Sequence, residues 1–274
     1  VYDRLSGKLV SVAASGGKDS LNTIYVMNEL SRELGFEVVA ILVDEGIAGY
    51  REYKAEAFKK FCEKIGIEYV ITSMSSRLGV TVDEAAVLYS KGALGLKPCS
   101  VCGVFRRYLL NRMAVELDAS FLMTGHNLDD EVQTFIMSLI RGDVISLARE
   151  GLVTEPPQEG FVPRVKPLYF VYERESMAHF LLKKFETPYV ECPYAPLSMR
   201  YRIRRFLNGL EQEKPGIKLK ILNCKEEVRR ALKGRFVSLK INRCEKCGSP
   251  ATGRVCRACQ VLEAINQARD MVAG

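Results

Sequence analysis

The chain has 274 residues, 47% of them hydrophobic and 27% charged, with 40 Lys and Arg against 33 Asp and Glu for a formal net charge of +7. This composition excludes a mainly disordered or fibrous chain, and no apolar run reaches the roughly 20 residues that a membrane-spanning helix needs. The positive charge favours an anionic partner such as a nucleotide or nucleic acid, with a solvated basic surface as the plainer alternative.

The opening VYDRLSGKLV carries no apolar signal-peptide core, and it starts with Val1 rather than Met, which leaves room for residues upstream. From residue 8 to residue 140, short apolar runs alternate with helical patterns. Strands are expected at Leu9–Ala14, 37–43, Glu68–Ser73 and Phe121–Thr124, with helices at 20–34, 50–65, 101–117 and 128–139. Alternation of this kind predicts an α/β fold, a doubly wound and mainly parallel sheet covered on both faces. The strands are almost continuously apolar, as such a sheet requires.

Residues 141–168 hold Gly142, Pro156, Pro157, Gly160, Pro163 and Pro167, the composition of a long loop or lid. Helices are expected at 173–184 and near 203–213, then a helical connecting segment over 216–239. The division that follows is a catalytic domain over 1–215 with a lid-like insertion near 141–168, and a Cys-rich C-terminal unit with a last helix over 240–274.

Nine cysteines cannot all pair, and six fall into C-x2-C pairs: Cys99/Cys102, Cys244/Cys247 and Cys256/Cys259. Without a secretion signal, such pairs read as metal or redox sites in a reducing, cytoplasmic setting.

The segment from Ala14 through Ser15, Gly16, Gly17, Lys18, Asp19 and Ser20 joins the first strand to the first helix. Adjacent glycines let backbone approach a ligand, and amides converging at a helix N-terminus make an anion site. Ser15 and Ser20 add hydroxyls, Lys18 adds a cation, and Asp19 is placed to help hold Mg²⁺ near phosphates. The spacing fits neither the Walker loop nor the dinucleotide fingerprint. It resembles the S-G-G-x-D-S loop of the PP-loop ATP pyrophosphatases, which cleave ATP between the α and β phosphates to adenylate a carbonyl oxygen. In that family the backbone at the end of the second strand, here Leu42 to Gly46, holds the adenine.

Cys99 and Cys102 open a helix, whose N-terminus is expected to lower their pKa values. Cys192, in Glu191-Cys192-Pro193-Tyr194, stands alone downstream. Three thiolates leave one position open, the pattern of a reactive site, and soft ligands of this kind suit an iron–sulfur cluster. A persulfide on Cys99 or Cys192 is the alternative use of the same residues. Between these cysteines lies Thr124-Gly125-His126-Asn127-Leu128-Asp129-Asp130. Its carboxylates fall in the first turn of a helix, where a capping role is the plain reading.

Cys244-x2-Cys247-x8-Cys256-x2-Cys259 has the spacing of a four-cysteine zinc ribbon, a closed and structural site. Its arginines could also touch RNA phosphates. Cys62, Cys224 and His179 are expected to be structural. The run Met199–Arg205, MRYRIRR, is either a phosphate contact or a solvated helix face.

Taken together and in order, S-G-G-K-D-S, C-x2-C-G-x-x-R-R, T-G-H-N-x-D-D, the lone cysteine and the ribbon resemble the TtuA-type tRNA 2-thiouridine synthetases and their wobble-uridine relatives, over about residues 8–260. The TtcA-type 2-thiocytidine synthetases share much of the layout. They place a second C-x2-C downstream and lack the ribbon, so uridine is favoured over cytidine.

The resemblance implies a cytoplasmic, ATP-dependent tRNA sulfurtransferase. Mg-ATP adenylates O2 of a uridine, and sulfur then comes from a [4Fe-4S] cluster held by Cys99, Cys102 and Cys192. Arg106 and Asp130 fall at that group's catalytic basic and acidic positions, and Gly125 and His126 line the nucleotide. A homodimer, and a sulfur donor that is either a ubiquitin-like thiocarboxylate protein or sulfide, are implied as well. The group also carries an N-terminal Cys-rich zinc finger, and too few residues precede this loop to form one. Two other readings remain at this stage. One is a different adenylating PP-loop enzyme, such as a lysidine synthetase. The other is an RNA-binding module with a degenerate nucleotide site.

Overall fold

The structure is a computed structural model that describes residues 4–154, 160–232 and 241–273. At its centre is a five-stranded sheet in the order β3-β2-β1-β4-β5, all neighbours parallel. The strands are β1 (Leu9–Ala14), β2 (Glu37–Asp44), β3 (Glu68–Ser73), β4 (Phe121–Thr124) and β5 (Arg164–Val165). Val10, Val12, Ala40, Ile41 and Leu42 are fully or almost fully buried, because helices cover both faces. The order turns back at β1, which pairs with β2 on one side and β4 on the other. A crevice therefore opens at their C-terminal ends, where ligands bind in sheets of this kind.

Helices α1 (Lys18–Leu34) and α2 (Arg51–Ile65) both stop at a left-handed glycine, Gly35 and Gly66. Two short helices follow β3: α3 (Met74–Leu78) and α4 (Val82–Ser90). No element is expected between the strand ending at Ser73 and the helix at 101–117, yet Thr81 caps α4, its hydroxyl accepting from the Glu84 amide. Then come α5 (Pro98–Glu116), α6 (Leu128–Arg141) and α7 (Val144–Arg149).

The expected lid over 141–168 is more ordered than its composition suggests. It contains α7, and its end adds β5 to the sheet. Thr154 and Lys166 donate backbone hydrogen bonds to Arg164 and Leu152, so the segment is folded back along the sheet edge. Pro156 and Pro157 lie outside the described residues.

Helices α8 (Glu173–Leu182), α9 (Met199–Glu213) and α10 (Ile217–Leu232) complete the chain up to the ribbon. α9 and α10 pack on α6 through Leu128, Val132, Ile203, Leu207 and Leu222. The ribbon is a two-stranded antiparallel pair, β6 (Asn242–Arg243) and β7 (Pro250–Ala251), followed by α11 (Arg257–Ala273). Ribbon residues Cys244, Cys256, Val261 and Ile265 share one apolar cluster with Val101 and Phe105 of α5. α11 is tied down further by Arg269, which pairs with Glu84 at 2.6 Å.

Candidate functional site

β1 ends at Ala14, and the chain turns through 15–17 into α1. Gly16 has φ of 73°, and a Cβ there would lie 2.3 Å from the Lys54 carbonyl oxygen, so both the dihedral and the space demand glycine. Gly17 is the N-cap and no side chain caps the helix, which leaves its first turn open to an anion. Ser20 Oγ donates to the Gly17 carbonyl at 2.8 Å, and Ser15 Oγ accepts from Gly17 N at 3.3 Å. Lys18 Nζ is 2.7 Å from Asp19 and 3.3 Å from Glu173. Burial pulls the Lys18 pKa down, but these carboxylates outweigh it and hold the ammonium above its ordinary value.

One segment, 173–188, holds this loop from outside. Ser176 Oγ donates to Asp19 Oδ1 at 2.6 Å, and buried Asn22 donates to both oxygens of Ser176, Oγ at 2.8 Å and the carbonyl at 2.7 Å. His179 Nδ1 is 2.9 Å from Asn22 Oδ1, so the histidine expected to be structural supports the loop at second hand. Thr187 Oγ1 donates to the Gly16 carbonyl at 2.6 Å.

At the far side of the crevice, Cys99 and Cys102 lie in the first turns of α5 and Cys192 precedes the 3-10 turn Ala195–Leu197. Cys99 Sγ lies 3.2 Å from the Tyr194 carbonyl, which joins the two chain segments. The expectation of depressed thiol pKa values is overturned. Burial pushes all three up, Cys102 to about 11, although Arg106 pulls against it there. Desolvation of a thiolate outweighs the helix terminus, so metal loading here must release protons. Among the described residues, the only group of three or more metal-type ligands within 4.8 Å of one another is the C-terminal four. The three thiols are therefore too spread for one ion. Cys102 and Cys192 pack against the same apolar cluster, and three soft thiols have the donor chemistry that an iron–sulfur cluster takes.

A buried carboxylate connects the two halves. Arg51 donates to the Ser15 carbonyl at 2.9 Å and pairs with Glu45, which is only 1% exposed. The other oxygen of Glu45 lies 3.6 Å from Arg106, whose guanidinium stands beside Cys102. Arg106 is thus no free surface cation.

The loop after β4 closes against the phosphate loop. A Cβ on Gly125 would lie 3.0 Å from the Asp19 carbonyl, so the two backbones pack face to face. His126 borders the crevice with Nδ1 3.0 Å from Thr124 Oγ1, and burial, aided by Lys166, pushes its pKa well below the ordinary value. Asp130 carries the capping role its position predicts, exchanging hydrogen bonds with Asn127, and Arg200 pairs with it at 3.2 Å. Burial raises the Asp130 pKa against the pull of Arg200. Its neighbours are buried structural anchors: Asp129 pairs with Lys218, and Glu131 with Lys166 and Lys225.

Arg200 and Arg204 of MRYRIRR are engaged within the chain, with Asp130 and Glu191. Cys62 is fully buried, its thiol pushed up to about 12 by desolvation, while Cys224, expected to pack, is exposed on α10. Sequence reasoning missed Arg51, Ser176 and Thr187. No motif spacing marks them, because each acts across the fold.

The four ribbon sulfurs lie within 4.8 Å of one another, with Cys247 and Cys256 at 3.6 Å. Tetrahedral zinc with bonds of about 2.3 Å implies sulfur separations of about 3.8 Å, so the group fits zinc. Against burial, backbone amides pull Cys244 down to about 6 and Cys247 is lowered too, while burial and the neighbouring thiols raise Cys256 and Cys259, so the four share charge unequally without a metal.

The PP-loop domain family matches residues 1–209. A protein of Methanocaldococcus jannaschii named "Probable sulfurtransferase" is 37% identical over 256 residues, 92% of this chain and 73% of that protein. The cytoplasmic tRNA 2-thiolation protein 1 of Arabidopsis thaliana is 36% identical over 272 residues, 97% of this chain and 74% of that protein. Among solved structures, the U34-tRNA thiolase NcsA of Methanococcus maripaludis with its [4Fe-4S] cluster superposes with a TM-score of 0.80. It is 35% identical, with 94% of this chain and 81% of that chain covered.

Proposed function

The chain belongs to the PP-loop domain family and, within it, to the tRNA 2-thiolation proteins, and from that premise we propose that it is an ATP-dependent tRNA sulfurtransferase making 2-thiouridine at the wobble position. The observation that supports this reading is the connection Ser15–Arg51–Glu45–Arg106, which links the phosphate loop to the helix that carries Cys99 and Cys102.

Mg-ATP binds over residues 14–20, with phosphates on the open N-terminus of α1, Lys18 moving from Asp19 to the phosphates, and Asp19 freed for Mg²⁺. Leu42, Gly125 and His126 border the nucleoside. The uridine O2 attacks the α-phosphate and pyrophosphate leaves. Asp130, its pKa raised by burial, suits removal of the N3 proton that makes O2 nucleophilic. A delivered sulfur then bonds to C2, the C2–O2 bond breaks, and the oxygen departs on AMP, with Arg106 beside the incoming charge.

Cys99, Cys102 and Cys192 would hold a [4Fe-4S] cluster, which offers one iron without a protein ligand for the transferable sulfur. The four ribbon cysteines would hold zinc. We place the activity in the cytoplasm, as a homodimer, with sulfide or a ubiquitin-like thiocarboxylate protein as donor.

The test is anaerobic reconstitution with iron and sulfide, then incubation with unmodified tRNA and ATP. Pyrophosphate release and 2-thiouridine by nucleoside mass spectrometry are expected, and both are expected to fall in Asp19→Asn. Thiolation by the unaltered chain without a cluster spectrum, lost in Cys99→Ser and in Cys192→Ser, would turn the reading to persulfide transfer. Pyrophosphate release with no thionucleoside under any condition would turn it to another adenylating enzyme.

A further inference from the structure

Between α7, the 161–164 segment and the ribbon lies a cavity of about 580 Å³ that the chemistry above does not use. Arg149, Arg164 and Arg257 line it. Among the described residues none of the three forms an ion pair, and Arg257 donates only to the neutral amide of Gln260, at 3.2 Å. The one carboxylate in the lining among the described residues is Glu150, and burial raises its pKa. Cations crowd one another here. Arg107 on α5 feels both Arg106 at the thiol site and Arg164 at the cavity, so a row of positive charge runs from the thiols to the ribbon. Glu45 pairs with Arg106, and Glu150 offsets part of the charge at Arg107 and Arg164, but the cations outnumber these carboxylates and an anion would supply the rest. Part of the wall between the arginines is apolar. Phe161 is 37% exposed and Ile145 41% exposed, and Pro250 and Val162 stand beside them. A free phosphate would use the cations and leave this wall idle. A strand of RNA uses both, with phosphates on arginines and an unstacked base on an aromatic face.

We propose that this cleft is the chain's RNA-binding surface, taking the substrate strand's backbone on Arg149, Arg164 and Arg257 and a base against Phe161. The ribbon is then one wall of the RNA site, and Arg107 leads the strand toward Cys102. That the RNA is tRNA rests on the thiolation reading. The place of binding rests on the cavity.

The experiment is fluorescence anisotropy of unmodified tRNA with the zinc-loaded full chain across a salt series. The triple variant Arg149→Ala/Arg164→Ala/Arg257→Ala is expected to lose about tenfold or more in affinity, and its log–log salt slope should fall by about two, roughly 0.7 per lost single-strand contact. The Arg→Lys triple should keep the slope, and Phe161→Ala should weaken binding without changing it. Exposed cations on α1, α2 and the C-terminal edge of α8, removed together as Arg32→Ala/Lys60→Ala/Lys183→Ala, should matter little. Retained Mg-ATP binding reports that each variant is folded. An unchanged slope in the cleft triple, or an equal loss in the distant triple, overturns the proposal. If the unaltered chain binds no tRNA, the thiolation reading falls as well, and that result is distinct from a chain that binds tRNA elsewhere.

Discussion

Gly16 shows how narrowly the phosphate loop is built. Its positive φ and its 2.3 Å clearance to the Lys54 carbonyl leave no room for a side chain. In Gly16→Ala the loop must shift off Lys54, and the expected result is loss of Mg-ATP binding by ~10-fold or more, since left-handed strain adds to the clash. Calorimetric titration with Mg-ATP checks it. Ser176 acts on the same loop at one remove. It fixes one oxygen of Asp19, and Asn22, itself held by His179, fixes Ser176. A hydrogen bond to a charged group is worth about 1.5–3 kcal/mol, so Ser176→Ala is expected to raise the KM for Mg-ATP by about tenfold, while binding of ATP without metal changes little. Ser176→Thr, which retains the hydroxyl, should recover part of the loss. Equal weakening with and without Mg²⁺ would show that Ser176 serves only to pack α8.

At the scale of elements, three consecutive carboxylates at the start of α6 face four cationic partners. Asp129 pairs with Lys218, Asp130 with Arg200, and Glu131 with Lys166 and Lys225. One turn of helix thereby anchors α9, α10 and the segment after β5. Tyr169 lies against both lysines, 5.8 and 5.1 Å from ring centre to Nζ, which helps hold the cations in the interior. Burial alone would raise the Glu131 pKa, but the two ammoniums outweigh it and depress it below the ordinary value. A depressed carboxylate pKa contributes stability above the unfolded-state value of about 4.3, and that stability is lost as the pH falls through the folded-state value. Glu131→Gln removes the one carboxylate that both buried ammoniums contact directly. It is expected to cost about 3–5 kcal/mol at pH 7 and to flatten the acid limb of the stability profile. Urea unfolding between pH 3 and pH 7 measures both, and an unchanged limb would place the acid sensitivity elsewhere.

At the scale of the whole molecule, the ribbon is part of the core. Cys244 and Cys256 belong to the apolar cluster that contains Val101 and Phe105 of α5, and α5 carries Cys99 and Cys102. Loss of the ribbon metal should therefore be felt at the thiol site, through packing. Cys247→Ser, or chelation of the metal, is expected to lower Tm and to speed amide exchange over residues 98–106, with unfolding still in one transition. Two separated calorimetric transitions would instead show an independent ribbon, which is how its position at the chain end reads on paper.

The four principal strands, the phosphate loop and the ribbon spacing were legible because each depends on neighbours in the chain. An apolar run reads as a buried strand, two glycines before a lysine as a turn into a helix, and paired cysteines as ligands. The α3–α4 region was not legible, because helices of 5 and 9 residues are too short to show a helical apolar repeat. The loop expected over 141–168 did not include α7 and β5 for a related reason: prolines and glycines mark irregular backbone but do not say whether it lies against a sheet edge.

The electrostatics of the site were not legible at all. A helix N-terminus argues for low thiol pKa values. The burial that reverses the argument comes from chain that is distant in sequence. Sequence alone determined which residues could do chemistry and the family the chain belongs to. Only the tertiary structure decided what surrounds them, because Ser176, Arg51 and Glu45 reach the loop from elements that adjoin it in space but not along the chain, and burial, charge and hydrogen bonding act through space.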